Sequence, residues 1–322
     1  MTRAVSIAGL QTLGIDMSLD AAREADALGY SSLWVAEASA AESMSLLGAI
    51  SQVAPNIGLG TGVVALQLRT PPLTAMAGAT LQQLAGERDV FLCVGISSPA
   101  VAGQWHGVGY TDRPIAQTRE FLTLVRECLT GEPVTFEGDF YNVKKFRLGV
   151  RLGERKPKIA LAALNKQMLR LGGELADVVL LNYLPASLVP WCVERIREGG
   201  NAAIHAYVHC GVTDRDRYAD LARKDLVNYA VVPAYATQFE RAGFLEEVRE
   251  FQKRWTARDR DGATAAISDE WVDDIQIMGD ADHVRAKVQA YADNGVDVPI
   301  VFALPWGEDR RATVSETLRA LA

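Results

Sequence analysis

The sequence predicts an α/β fold, a (β/α)8 TIM barrel with insertions at its C-terminal mouth, and three observations carry that prediction. Eight short runs rich in Val, Ile and Leu recur along the 322 residues, as parallel strands covered by helices on both faces require. Amphipathic segments with apolar residues at three- and four-residue spacing alternate with them. Eight strands with right-handed helical crossovers close into a barrel, whereas an open doubly wound sheet normally uses about five to seven strands. One barrel domain over residues 1–322 accommodates the whole length, because barrels of about 250 residues or more form a single domain.

The expected strands are Ala4–Leu10, Ser32–Glu37, Ile57–Val64, Asp89–Gly95, Lys158–Ala163, Asp177–Asn182, Ala203–Val212 and Val298–Leu304. The expected helices are Leu19–Leu28, Ser43–Val53, Leu73–Leu84, Arg119–Leu129, Lys166–Leu175, Leu188–Glu198, Arg215–Val231 and Ala281–Asn294. Thr70 before Pro71 and Pro72 reads as an N-cap with proline in the first turn, and Gly29, Gly86 and Gly295 read as C-terminal stops. Val134–Val143 has turn residues between β-formers and reads as a surface hairpin. Two stretches fall outside the repeat, Ser97–Pro114 and Ala234–Asp274, and insertions of that length in a compact domain build lids or binding walls.

Composition narrows the function. The formal net charge is −7, and no run of Lys and Arg exceeds two residues, which argues against a nucleic-acid or anionic-membrane partner and for a small molecule. The N-terminal residues lack the apolar core of a signal peptide and no stretch approaches a membrane span, so the expected location is cytoplasmic. Cys93, Cys128, Cys192 and Cys210 are far apart and are expected to be reduced.

Several residues stand out chemically. Gly58, Gly60 and Gly62 alternate along one strand face, leaving room either for a flat ligand or for a tightly packed barrel layer. Glu37 ends the second strand, at the end where barrel enzymes keep their working groups. It reads as a catalytic acid near a cofactor ring, or as a salt bridge to a loop Arg or a helix-capping carboxylate. The fifth strand runs into Ala163-Leu164-Asn165-Lys166 at a helix start, whose free amides form a phosphate site. His106, beside Trp105 in the first insertion, is a candidate proton donor. His205 and His209 share a strand face with no carboxylate or Cys at ligand spacing, so packing is the expected role and no metal site is expected.

Taken together, Ser32-Leu33-Trp34-Val35-Ala36-Glu37-Ala38, Ser45-Leu46-Leu47-Gly48, Leu59-Gly60-Thr61-Gly62-Val63, Arg69-Thr70-Pro71-Pro72 and Gly95-Ile96-Ser97-Ser98-Pro99 form consecutive blocks. Gln104-Trp105-His106-Gly107, Arg113-Pro114, Ala162-Ala163-Leu164 and Glu174-Leu175-Ala176-Asp177 continue them in order. In this order they resemble the bacterial luciferase-like monooxygenase superfamily, and especially its coenzyme F420-dependent oxidoreductase branch.

The resemblance implies a deazaflavin across the barrel mouth, held by Gly60, Thr61, Gly62 and Val63, with a cis peptide at Gly62–Val63. It implies that the cofactor phosphate meets Ser97 and Ser98 after strand four and Ala163, Leu164 and Asn165 after strand five. Several relatives carry His where Glu37 stands, an acid where Ser98 stands and a glycine pair where Leu164-Asn165 stands. The expected activity is hydride transfer between F420 and a small organic substrate, in the reducing direction onto an activated C=C, C=N or C=O, with Glu37 or His106 moving the proton. An FMN-dependent monooxygenase and a non-catalytic cofactor-binding protein are the competing readings. The resemblance also implies a homo-oligomer, with a dimer as the simplest case.

Overall fold

A computed structural model describes residues 2–322. Eight parallel strands form its centre: β1 Ala4–Ser6, β2 Ser32–Val35, β3 Gly58–Thr61, β4 Val90–Gly95, β5 Lys158–Ala162, β6 Val178–Leu181, β7 Ala203–Val212 and β8 Val298–Ala303. Each strand pairs with its sequence neighbours and β8 pairs with β1, so the ring closes. The strands lie between two apolar layers. Outward residues such as Leu33, Leu59, Val179, Ile204 and Val301 pack against the helices, while Trp34, Phe91, Cys93, Tyr207 and Ile300 fill the interior.

One row of the interior explains the glycine spacing on β3. Trp34, Gly60 and Phe91 are register partners on β2, β3 and β4. Because Gly60 has no side chain, the Trp34 and Phe91 rings stack across it at 5.0 Å. A Cβ on Gly60 would lie 2.7 Å from the Trp34 ring.

Strand ends depart from the sequence expectation at the mouth. β1 stops at Ser6, where the chain turns into a short 3-10 helix over Ala8–Leu13. β2 stops at Val35. β3 breaks after Thr61 and resumes as Val64–Ala65 beside Val94-Gly95, the break holding a cis peptide at Gly62–Val63.

Helices Ser43–Val53 and Lys166–Leu175 have the expected bounds. Thr70 accepts from the Leu73 amide ahead of Pro71–Ala85, and Gly29, Gly86 and Gly295 take positive φ at helix ends. The expected hairpin forms from Val134–Glu137 and Asn142–Phe146. The closing helix Arg310–Leu321 is missing from the expected elements, since its buried residues Val314, Leu318 and Leu321 give a thin stripe.

The second insertion folds into helices Pro233–Phe239, Leu245–Thr256, Arg260–Ala265 and Asp269–Ile275, with a wide helical turn at Glu240–Phe244. They share a core of Phe239, Phe244, Val248, Phe251 and Trp271, with Phe244 stacked on Trp271 at 5.4 Å. The following strand Gln276–Gly279 pairs with His209–Val212, beyond the point where β6 ends. This ties the insertion to the upper half of β7. All four cysteines are buried and free.

Candidate active site at the barrel mouth

β7 is the longest strand, and its interior residues mark three heights in the barrel. His205 lies lowest, 5.6 Å from the Trp34 ring and 5.5 Å from Phe91. Burial pushes its imidazole down to about 4, so it is neutral at neutral pH. Above it, Tyr207 donates from its hydroxyl to the Gly62 carbonyl at 2.7 Å. Highest is His209, stacked on Phe302 at 4.3 Å and facing Tyr183 at 4.0 Å. Its Nε2 is 2.8 Å from Asn182 Oδ1, burial pushes it down to about 3, and its buried Nδ1 has no partner.

The β3–β5 side of the mouth is built from small residues. Thr61 lies below the rim, where its Oγ1 donates to the Cys93 carbonyl and accepts from the Cys93 amide, both at 2.8 Å. Gly62 donates from its amide to Val35 O at 2.7 Å, and the Val63 carbonyl accepts from the Glu37 amide at 3.2 Å. Gly95 lies between Val63 and Ala162, and a Cβ there would come within 3.3 Å of both. These three residues form an apolar floor.

Ser97 and Ser98 follow β4. The Ser97 amide donates to Gln67 Oε1 at 3.3 Å, and Ser98 Oγ accepts from the Val101 amide at 3.2 Å. Ala163 is buried, its amide bonded to Leu180 O. Leu164 and Asn165 are half-buried. Asn165 precedes helix Lys166–Leu175 with extended backbone and no side-chain cap, so the first-turn amides face the mouth without a side-chain acceptor. Lys166 is exposed.

Glu37 follows β2, on the rim next to Val63, and is heavily engaged. Its carboxylate accepts from the Ser43 amide at 3.2 Å and hydroxyl at 3.1 Å, and pairs with Arg69 at 3.0 Å. Arg69 also pairs with Glu42. Burial alone would lower the Arg69 guanidinium, but the hydrogen bond and charge of Glu37, joined by Glu42, hold it above its ordinary value. Burial would raise Glu42, but hydrogen bonds from Ser45 and Met44 hold it down near 2. The salt-bridge and helix-capping arrangements foreseen for Glu37 therefore occur together. His106 lies on the exposed loop after β4, its Nε2 2.7 Å from the Ala38 carbonyl. It thereby links that loop to the one carrying Glu37, and its Nδ1 makes no hydrogen bond to another described residue.

The β6–β7 side holds residues that sequence reasoning largely missed. Tyr183, at a positive φ of 50°, donates to Asp225 Oδ2 at 2.8 Å, and Gln276 donates to the same oxygen at 2.6 Å. Burial raises Asp225 above the usual carboxylate range, against those two donors. Tyr229 stacks on Tyr183 at 3.7 Å, Tyr235 accepts from Asn182 at 3.3 Å, and Gln238 donates to the Asn182 and Tyr183 carbonyls. The alternation His205, Tyr207, His209 was the available signal. Asp225 and Tyr229 come from helix Arg215–Ala230, Tyr235 and Gln238 from the insertion, and Gln276 from the strand after it.

The mouth thus offers an apolar floor, helix-start amides fit for a phosphate and a neutral aromatic wall. Among the described residues no group of His, Cys, Asp and Glu could hold a metal ion, and no helix is long and apolar enough to cross a membrane. A flat anionic cofactor fits this donor set: Gly95 leaves the floor between Val63 and Ala162 free of a side chain, and helix-start amides are donors suited to a phosphate.

Residues 4–298 match the model of the luciferase-like monooxygenase family. A Mycobacterium tuberculosis protein assigned as a coenzyme F420-dependent oxidoreductase is 30% identical over 313 residues, covering 87% of this chain and 88% of its own. The 5,10-methylenetetrahydromethanopterin reductase of Archaeoglobus fulgidus is 28% identical over 285 residues, 84% of this chain and 83% of its own. Among solved structures, the coenzyme F420-dependent tetrahydromethanopterin reductase of Methanopyrus kandleri superposes with a TM-score of 0.81 at 20% identity, covering 99% of this chain and 97% of its own.

Proposed function

We propose that this chain, which belongs to the luciferase-like monooxygenase family, is a coenzyme F420-dependent oxidoreductase acting on a small organic substrate. The observation that carries the reading is the likeness to the F420-dependent relative across 87% of the chain. The uncharged floor of Val63, Gly95 and Ala162 beside an uncapped helix start supports it.

When bound, the deazaflavin supplies a hydride donor or acceptor, and the chain supplies position and polarity. Val63, Gly95 and Ala162 would carry the ring. Gly60, Thr61 and Gly62 shape the strand behind it. The amides after Leu164 and Asn165, with Ser97 and Ser98, would hold the phosphate, and the Ala163 backbone bond to Leu180 fixes the entry to that helix. Phe302, His209 and Asn182 wall the substrate side with neutral groups.

Reduction of C=C, C=N or C=O needs a proton as well as a hydride. Of the two expected proton carriers, His106 is the freer: Glu37 accepts two bonds from Ser43 and pairs with Arg69. We assign proton delivery to His106, with Glu37 anchoring Arg69 at the rim. The test is anaerobic oxidation of reduced F420 across a panel of activated alkenes, imines and ketones, followed by return of the oxidised cofactor's absorbance. Turnover of one class, slowed in His106→Asn, supports the reading. Inertness with the whole panel, together with oxygen-dependent turnover of reduced FMN, overturns it in favour of a monooxygenase.

A further inference from the structure

The Gly62–Val63 step is fixed from three directions. Two of them are ordinary neighbours at and just past the end of β2: the Gly62 amide reaches Val35 O, and the Val63 carbonyl receives the Glu37 amide. The third comes from across the barrel. β3 and β7 lie four strands apart in the closed ring of eight, and the Tyr207 side chain spans that interior to donate to Gly62 O at 2.7 Å.

Tyr207 is only 4% exposed and packs edge-on to Phe302 at 5.8 Å, which confines its ring, and its hydroxyl also lies within hydrogen-bonding reach of Ser6. The two residues are also sterically matched, because a Cβ on Gly62 would overlap the Tyr207 hydroxyl. Val63, which follows the held carbonyl, is one of the three residues of the floor. Without the hydroxyl, the Gly62 carbonyl is left without a partner in a buried setting, and the peptide is free to tilt.

We infer that Tyr207 is a positioning residue: its bond across the barrel sets the height and tilt of the Gly62–Val63 step and so of the floor on which the cofactor ring rests. The inference builds on the F420 reading above. Tyr207 itself need not touch the cofactor. Burial raises its phenol far above the ordinary value, so it remains a donor across the working pH range.

The test compares wild type, Tyr207→Phe and Tyr207→Met with Tyr30→Phe as a control. Tyr30 donates its buried hydroxyl to Leu318 O at 2.8 Å, an equivalent bond at the opposite end of β2. Two quantities are read for each protein: F420 affinity by fluorescence quenching, and Tm. Both Tyr207 variants are expected to lose about tenfold in F420 affinity, the worth of one buried hydrogen bond. Tyr30→Phe is expected to lower Tm while keeping the wild-type affinity. If wild type binds F420 and either folded Tyr207 variant binds equally well, the positioning role is overturned and the cofactor reading stands. If Tyr30→Phe loses affinity as much as the Tyr207 variants, the effect is general destabilisation and the role is again overturned. If wild type itself fails to bind F420, both fall.

Discussion

Acidification tests the interior of the barrel quantitatively. His205 and His209 are 5% and 2% exposed, and burial lowers their imidazoles to about 4 and about 3, against an ordinary value of about 6.5. Around His205, Asp297 and Asp89 pull the value up and Lys158 pushes it down, and burial outweighs them. In the window between the folded and unfolded values, the unfolded chain binds more protons than the folded one, so stability falls as pH falls. Moving from about pH 7.5 to about pH 5 places each unfolded imidazole about 1.5 units below its own value, at about 1.4 kcal/mol per unit. That is about 2 kcal/mol per histidine and about 4 kcal/mol for both. Carboxylates held low, such as Glu42 near 2, lose their contribution at lower pH, below about 4.5. Urea unfolding at the two pH values, in wild type, His205→Leu and His209→Phe, reads the difference. Each substitution is expected to remove about half of the wild-type pH dependence, whatever it does to stability at neutral pH. Equal wild-type stability at both pH values, or full pH dependence retained in both variants, would refute the reasoning.

Three further substitutions probe the site. Gly60→Ala forces a Cβ to within 2.7 Å of the Trp34 ring and is expected to cost about 1–3 kcal/mol in thermal or urea melts; an unchanged melt contradicts the packing assigned to that row. Gly95→Val fills the floor between Val63 and Ala162 and is expected to weaken F420 binding on the order of tenfold or more while the circular dichroism stays native; undiminished binding would move the ring elsewhere. Glu37→Gln keeps an acceptor for Ser43 but removes the charge facing Arg69. Both side chains are largely buried, 12% and 13% exposed, so a stability loss of about 1–3 kcal/mol is expected, less than for a wholly dry pair. A change within measurement error would show that Glu42 alone holds Arg69.

The barrel was legible because its signals are local. Apolar runs such as Val90–Gly95 and Ala203–Val212 specify strands, and Thr70 with Pro71 and Pro72 specifies a helix start. What failed was the ends. Glu37 lies beyond β2 because the chain turns to meet Val63, and Ala8–Leu13 coils into a 3-10 helix against Phe302, contacts between distant segments. The candidate site divided in the same way. Gly62, Val63, Ser97 and Asn165 occur at strand ends, where position alone marks them. The Gly60 spacing reads as packing or as a ligand face until Trp34 is seen stacked over it. Asp225 and Tyr229 on helix Arg215–Ala230, and Gln276 on the strand after the insertion, join Tyr183, Asn182 and His209 only through the tertiary fold. No spacing in the chain announces them.

The most direct test of the central claim is side-by-side equilibrium titration of the purified protein with F420, reduced F420, FMN and reduced FMN under anaerobic conditions, by fluorescence or calorimetry. The account predicts micromolar or tighter binding of an F420 form with much weaker binding of FMN, on the order-of-magnitude scale where about 8 kcal/mol corresponds to micromolar affinity. Preference for reduced FMN, or binding to none of the four, would contradict it.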